Sequence, residues 1–131
     1  MIVDASAILA VLLKEPEEKL FADILLEHPR RVSLSPVNYL EVALRVDRDN
    51  MPEASERLDA ILANMNIEMA DVTPEQAKLA REAYQKFGRG NHRAKLNLGD
   101  CFAYALAKAR GEPLLFKGDD FPRTDVKPAP A

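Results

Sequence analysis

The feature that most constrains the fold is a repeated alternation between short apolar runs and longer amphipathic segments. The runs MIV, RVSL, IEMADV and PLLF are short and mainly apolar, and MIV and the LLF of PLLF contain no polar residue. The segments between them carry apolar residues at helical spacing, as Leu58, Ile61 and Leu62 illustrate. Strands with continuous apolar runs are typical of sheets that are buried on both faces. The sequence therefore predicts an α/β domain whose parallel sheet is covered by helices on both sides.

Prolines and capping residues mark where the predicted helices begin. Ser35 precedes Pro36 and Thr73 precedes Pro74, so each pair supplies an N-cap residue and a first helical position. The helices 36–48 and 52–66 are separated by a short turn and are predicted to form a hairpin. The full set of predicted helical segments is 5–15, 17–28, 36–48, 52–66, 73–88 and 98–111, and a fifth strand is predicted to start at 125–126.

Length and composition limit the class of protein. A chain of 131 residues fits one domain, here 1–131, and residues 127–131 are expected to be a frayed tail. The net charge of −3 disfavours nucleic-acid binding by bulk charge, although local basic patches remain open to it. One cysteine excludes an internal disulfide and suits a reducing cytoplasm, where we expect the protein to be located. The first residues read as a core strand rather than a signal peptide, and no apolar run approaches the roughly 20 residues that a membrane span needs.

Acidic side chains interrupt the apolar pattern at four places. Asp4 directly follows the first strand, Glu41 lies on or beside the apolar face of its helix, and Asp100 opens the most apolar helix. Asp119 and Asp120 follow PLLF across a glycine. Ligands of such sheets bind beyond the carboxyl ends of the strands, so these acids are predicted to meet at one edge of the sheet.

Each acid also has a purely structural explanation. Asp4 suits a helix N-cap, Asp100 suits the positive end of a helix dipole, and Glu41 has Arg45 four residues away as a partner. An Asp beside Gly118 is routine in a turn. These single-residue explanations do not account for a cluster of acids, because two carboxylates 4 Å apart repel by about 4 kcal/mol at an effective dielectric near 20. Such a cluster must take up protons or hold a cation.

Oxygen ligands alone favour Mg²⁺ or Mn²⁺ over zinc, and with two histidines and one cysteine a zinc site is a poor fit. A carboxylate-held Mg²⁺ activates water and stabilises charge on a phosphoryl oxygen. Phosphodiester hydrolysis is therefore the leading reaction class.

Four stretches carry a resemblance to a known family: MIVDASAILA, SPVNYLEVALR, LNLGDCFAYALAKARGEPLLFKGDDF and the closing TDV. With them the chain resembles the PIN-domain ribonucleases, and among these the VapC toxins of bacterial toxin–antitoxin pairs, over essentially its whole length. The resemblance implies a three-layer α/β/α PIN domain with about five parallel strands. It also implies a metal-dependent endoribonuclease, using Mg²⁺ or alternatively Mn²⁺, in which metal-activated water hydrolyses RNA phosphodiester bonds.

The resemblance also implies roles for individual acids. Asp4 and Asp100 match metal ligands, and Glu41 matches an acid that reaches the metal directly or through water. Either Asp119 or Asp120 matches the fourth acid. We favour Asp119, because it is nearer the strand end, and give Asp120 a supporting role.

Two polar residues are expected to support the acids. Ser6 matches a small hydroxyl residue that hydrogen-bonds within the acidic cluster. Asn38 lies one helical turn before Glu41, and we expect it to steady that carboxylate.

Partners follow from the same resemblance. A small antitoxin is expected to place its C-terminal segment in a groove walled by the hairpin 36–48 and 52–66, and a homodimer is expected. RNA must approach an acidic pocket, so nearby positive charge is needed. The candidates for phosphate contacts are Arg89, His92, Arg93, Lys95 and Lys117, although a solvated basic loop would look the same.

Other classes of protein fit the sequence less well. A phosphoacceptor receiver domain needs an acidic pair after the first strand, but Ala5 and Ser6 follow Asp4. DNA-processing 5′-nucleases carry additional segments for which this chain has no room. Two alternatives remain, namely a catalytically inactive α/β interaction module and a PIN-like nuclease that processes RNA without an antitoxin.

Overall fold

The computed structural model describes residues 1–90 and 92–129. Among them a four-stranded sheet is combined with six α-helices and one 3₁₀ turn at Phe121–Arg123. In chain order the elements are β1 (Ile2–Val3), α1 (Ala5–Leu12), α2 (Glu18–Glu27), β2 (Val32–Leu34), α3 (Pro36–Arg48), α4 (Pro52–Asn64), β3 (Ile67–Met69), α5 (Pro74–Phe87), α6 (Leu98–Arg110) and β4 (Leu114–Leu115).

The sheet is parallel throughout, with the strand order β3-β2-β1-β4. Side chains of neighbouring residues in β1 point to opposite faces, as the pleat requires. Val3 joins an apolar cluster formed with α1 to α4, whereas Ile2 joins a second cluster formed with α5 and α6. The sheet therefore lies between two helical layers, which confirms the predicted α/β/α architecture.

The closing segment differs from the expected frayed tail. Leu114 N–H donates to the Lys127 carbonyl at 2.9 Å, and Ala129 N–H donates to the Leu114 carbonyl at 2.8 Å. Pro128 forms a parallel bridge with Leu114 at the edge of the sheet. The fifth strand predicted to start at 125–126 is therefore replaced by a single bridge at residue 128. The exposed edge of β4 offers unpaired backbone groups, and residues 127–129 satisfy them. Residues 130 and 131, also expected to fray, lie outside the described residues.

Helix starts bring the acidic residues to one edge of the sheet. Ser35 and Thr73 cap α3 and α5 as predicted. Asp4 caps α1 directly after β1, and Asn97 caps α6. Because the parallel strands all end at the same edge, the segments that follow β1 and β4 lie close together: Asp4 N–H donates to the Leu115 carbonyl at 2.9 Å.

No helix in the described part of the chain is both long enough and apolar enough to cross a membrane.

Candidate active site

The two carboxylate oxygens of Asp4 have different surroundings. Oδ2 accepts hydrogen bonds from the Ser6 backbone N–H at 3.0 Å and from Ser6 Oγ at 2.6 Å, which is the predicted N-cap. Oδ1 is buried and has no hydrogen-bond partner among the described residues. Asp4 is only 3% exposed, and this burial raises the pKa of its carboxyl group, with a smaller contribution from the charge of Asp120. The N-cap therefore accounts for one oxygen and leaves the other unexplained.

Ser6 also ties Asp4 to the end of β4. Its Oγ donates to Asp4 Oδ2 and accepts a hydrogen bond from the Lys117 backbone N–H at 2.9 Å. The hydroxyl thus lies between the segments that follow β1 and β4, where it fixes the orientation of the Asp4 carboxylate. The expectation that Ser6 hydrogen-bonds to an acid of the cluster agrees with this geometry.

Asn38 joins α3 to the start of α6. Its side chain is fully buried, and Nδ2 donates to the Gly99 carbonyl at 2.9 Å and to Glu41 Oε1 at 3.3 Å. Burial raises the pKa of Glu41, and the charge of Asp4 raises it further. Glu41 does not pair with Arg45, whose Nε donates instead to Asp49 Oδ2 at 2.6 Å.

Asp100 takes part in a capping box at the start of α6. Its Oδ2 accepts the Asn97 backbone N–H at 3.1 Å, and Asn97 Oδ1 accepts the Asp100 backbone N–H at 2.9 Å. Burial is the main reason that the pKa of Asp100 is raised to about 7, and the charges of Asp4, Glu41 and Asp120 add to it. Asp100 is therefore within electrostatic reach of all three of these acids.

Asp119 and Asp120, the two candidates for the fourth acid, differ in their electrostatic effect on the other acids. The charge of Asp120 raises the pKa of both Asp4 and Asp100, whereas Asp119 is not a cause of either shift. Asp120 immediately precedes the 3₁₀ turn, whose Phe121 is buried in the apolar cluster beneath. Burial of Phe121 anchors this end of the loop, next to Asp120.

Asp4, Glu41 and Asp100 line one cleft of about 410 Å³. Its remaining walls come from the start of α1 and from one side of α3, namely Ala5, Ser6, Leu9, Leu44, Arg45 and Arg48. Three carboxylates from distant parts of the chain therefore share a pocket, as the sequence predicted.

The donors in this cleft suit a divalent cation. They are all oxygens, and the partnerless Asp4 Oδ1 is the kind of buried atom that a cation would satisfy. Over residues 1–90 and 92–129, no three acidic, histidine or cysteine side chains already stand close enough to hold a metal ion. Asp100 Oδ2 is engaged by its helix cap. Ion binding would therefore require the side chains to close around the ion.

The predicted phosphate contacts are not among the residues that line this cleft. Arg89, His92, Arg93 and Lys95 line a separate depression of about 570 Å³. Lys117 is held by two carboxylates, with Nζ at 3.1 Å from an oxygen of Glu15 and 3.2 Å from one of Glu17.

Sequence reasoning missed the two arginines that line the acidic cleft itself, Arg45 and Arg48. Their spacing of four and seven residues from Glu41 was the available signal, because residues at those spacings share a helix face.

Comparisons with known proteins show the family and the fold of the chain. The family described as PIN domain matches residues 1–127. Ribonuclease VapC42 of Mycobacterium tuberculosis is 43% identical over 130 residues, which cover 98% of each chain. Ribonuclease VapC of Mycolicibacterium smegmatis is 42% identical over 126 residues, covering 96% of this chain and 97% of that one.

A solved structure shows the same fold. It is that of Mycobacterium tuberculosis VapC20, a toxin described as cleaving the sarcin-ricin loop. It superimposes with a TM-score of 0.75, covering 97% of this chain and 98% of that one at 17% identity.

Proposed function

The chain belongs to the PIN-domain family and is a VapC-type endoribonuclease, and on that premise we propose that the cleft of Asp4, Glu41 and Asp100 is its active site. We propose further that residues 1–131 form a single catalytic domain and that the resident ion is Mg²⁺, with Mn²⁺ as the alternative.

The observation that carries the assignment is Asp4 Oδ1. A buried carboxylate oxygen without a partner is unfavourable, since desolvation of a charged group costs several kcal/mol in an apolar environment. Two further carboxylates line the same cleft and raise the unfavourable charge density. A divalent cation would satisfy the oxygen and neutralise the cluster at once.

The residues divide into holding and positioning roles. Asp4 and Asp100 would hold the ion, and Glu41 and Asp120 would reach it directly or through water. Ser6 orients Asp4 through Oδ2, which leaves Oδ1 available. Asn38 steadies Glu41 against the start of α6.

When bound, the ion supplies activation of water and stabilisation of charge on the phosphoryl oxygen, so no side chain has to act as the nucleophile. The acids must be ionised to bind it. Because the pKa of Asp100 is raised to about 7, ion uptake is accompanied by proton release from this carboxyl group near neutral pH.

RNA and a small antitoxin are the proposed partners. The exposed side chains of Leu40 and Leu44 on α3 offer an apolar strip beside the cleft, which suits a helix-in-groove contact with an antitoxin segment. We propose that the basic loop with Arg89, Arg93 and Lys95 contacts RNA away from the cut site. The homodimer and the cytoplasmic location stay predictions.

RNA cleavage by the purified protein tests the assignment. We expect cleavage that requires Mg²⁺ or Mn²⁺, is abolished by EDTA and is strongly reduced in Asp4→Asn and Asp100→Asn. Asp71→Asn is the matched control, since Asp71 is exposed and lies outside the cleft. Equal activity in all three variants would remove the assigned site, and absence of cleavage under every metal condition would favour the inactive interaction module.

The remaining alternative is an RNA-processing nuclease without an antitoxin. A toxin arrests growth when expressed alone, and a small protein encoded in a neighbouring reading frame relieves the arrest. Cleavage without growth arrest would support the processing enzyme instead.

A further inference from the structure

One side of α3 carries charge of both signs along the cleft. Glu41, Arg45 and Arg48 lie at positions i, i+4 and i+7, so they share a helix face. All three line the same cleft. At 1.5 Å per residue, the two arginines stand about 6 Å and about 10 Å further along the helix axis than Glu41. Positive charge therefore begins one helical turn from the acidic cluster and continues away from it.

A single carboxylate holds both arginines. Arg45 Nε donates to Asp49 Oδ2 at 2.6 Å, and Arg48 Nε donates to Asp49 Oδ1 at 3.1 Å. The two arginines lower the pKa of Asp49, which is therefore ionised at neutral pH. Two guanidinium groups against one carboxylate leave one net positive charge at this position.

Both guanidinium groups keep donors free. Within the described residues their hydrogen bonds use Nε alone, so the terminal nitrogens are available to a ligand. The side chains are 43% and 74% exposed, and both residues line the cleft. Contact through Nε fixes the orientation of each planar group, which reduces the entropy that a ligand would have to remove.

We infer that Arg45 and Arg48 form a phosphate clamp for RNA, binding backbone phosphates next to the bond that is cut, with Asp49 as their counter-ion. This inference rests on the proposed function. A polyanion that enters an acidic cleft needs compensating positive charge close to the reacting phosphate. Guanidinium groups bind phosphate oxygens through paired N–H donors, and these two lie in the cleft itself, unlike the basic loop at Arg89–Lys95.

A structural role for the arginines makes a different prediction. Arg45 and Arg48 lie in the last turn of α3, where positive charge stabilises the helix C-terminus. If stability were their only role, Arg45→Gln/Arg48→Gln and Asp49→Asn would change the melting temperature but leave the RNA affinity of the folded protein unchanged. A clamp predicts effects of opposite sign on RNA affinity. Loss of the arginines weakens binding, whereas loss of Asp49, their counter-ion, strengthens the positive field and tightens it.

The RNA affinities of the arginine and Asp49 variants test the clamp. The probe is a fluorescein-labelled 12-nucleotide oligouridylate, whose anisotropy is measured with Mg²⁺ in the Asp100→Asn background so that cleavage does not interfere. We expect Arg45→Gln/Arg48→Gln to weaken binding about tenfold or more and to lower the salt slope by about 1.4, since each single-strand phosphate contact contributes about 0.7. Asp49→Asn should tighten binding severalfold. Arg57→Gln, an exposed helical arginine outside this cleft, is the matched control and should change neither value.

The possible outcomes distinguish failure of the clamp from failure of the proposed function. If the wild-type protein cleaves RNA but the double variant keeps its affinity and salt slope, the clamp is wrong and the active site stands. If the wild-type protein neither binds nor cleaves RNA, the proposed function fails and the clamp fails with it. Loss of affinity for an oligoglutamate probe, with oligouridylate binding unchanged, would assign the arginines to an acidic protein segment instead. Circular dichroism and melting temperature of each variant show that the comparison is made on folded protein.

Discussion

The carboxylate of Glu41 occupies the space that a side chain at Gly99 would need. A Cβ atom built on Gly99 would lie 2.3 Å from Glu41 Oε2 and 2.6 Å from Oε1, well inside van der Waals contact. Asn38 holds the two together from the other side, since its Nδ2 donates to both the Gly99 carbonyl and Glu41 Oε1. The absence of a side chain at residue 99 is therefore what allows α3 to bring its acid against the start of α6.

Gly99→Ala is expected to impair activity by displacing Glu41. Glycine within a helix is ordinarily less favourable than alanine by about 1 kcal/mol, so this substitution would stabilise α6 if space were available. Here the new methyl group collides with the carboxylate and pushes it out of the cleft. We expect reduced Mg²⁺ affinity and reduced RNA cleavage with the fold retained, measured by calorimetric titration and a gel assay.

A double-mutant cycle isolates the collision. In a Glu41→Ala background the space at residue 99 is free, so Gly99→Ala should raise the melting temperature rather than leave it unchanged or lower it. The same effect of Gly99→Ala in both backgrounds would show that Glu41 is not the residue displaced.

The α/β/α layers and the shared cleft of Asp4, Glu41 and Asp100 could be predicted from the sequence, because strand ends and helix faces follow from the periodicity of apolar residues. Asp4 had to lie at the sheet edge once MIV was a strand, and Glu41 had to lie near the core once its neighbours were apolar. The contact between Glu41 and Gly99 could not be predicted, since it joins residues 58 positions apart through packing of two helices. The same holds for the segment that pairs with β4 at Pro128, where an open sheet edge rather than a local pattern decides the conformation.

Asp119→Asn and Asp120→Asn distinguish the two candidates for the fourth acid. The charge of Asp120 acts on Asp4 and Asp100, whereas Asp119 causes neither shift. We expect Asp120→Asn to lower RNA cleavage and Mn²⁺ affinity by about tenfold, and Asp119→Asn to behave as its matched control. A larger loss in Asp119→Asn would support Asp119 as the fourth acid, which the sequence favoured.

Ser6→Ala removes a hydroxyl that serves two partners. Its Oγ donates to Asp4 Oδ2 at 2.6 Å and accepts from the Lys117 N–H at 2.9 Å. A hydrogen bond to a charged group is worth about 1.5–3 kcal/mol, so we expect destabilisation of that order together with weaker metal binding. Denaturant titration measures the first effect and calorimetry the second. Ser6→Thr keeps the hydroxyl and should recover most of both, which a purely steric role of Ser6 would not produce.

Divalent metal is expected to stabilise the folded protein. A ligand that binds only the native state at a hundred times its dissociation constant adds about 2.7 kcal/mol, equivalent to several degrees in melting temperature for a chain of this size. We expect Mg²⁺ to raise the melting temperature of the wild-type protein relative to EDTA, and to do so far less in Asp4→Asn, which lacks full charge at Oδ1. An equal rise in both proteins would indicate that the ion binds outside the cleft.

The metal-free protein should lose stability as pH rises towards neutrality. The pKa of Asp100 is about 7 in the folded protein against an ordinary value of 3.8, and the pKa values of Asp4 and Glu41 are raised too. Between about pH 4 and 7 the folded state therefore binds more protons than the unfolded state, and the free energy of unfolding falls as pH increases.

Three acids elsewhere act in the opposite direction but in a lower pH range. The pKa values of Asp49, Glu68 and Asp125 are lowered by arginine, lysine and hydroxyl partners, so their contributions are lost only as pH falls below about 4. Melting temperatures in EDTA between pH 5 and 8 thus report mainly on the cleft.

We expect the melting temperature to decline across this range, and to decline less steeply in Asp100→Asn. In this variant asparagine Oδ1 still accepts the Asn97 N–H, so only the charge is lost. Glu41→Gln should likewise raise the melting temperature at pH 8 by removing one of the repelling charges. A decline of equal slope in wild type and Asp100→Asn would mean that this carboxyl group does not titrate near neutrality, and that the repulsion within the cleft has been misassigned.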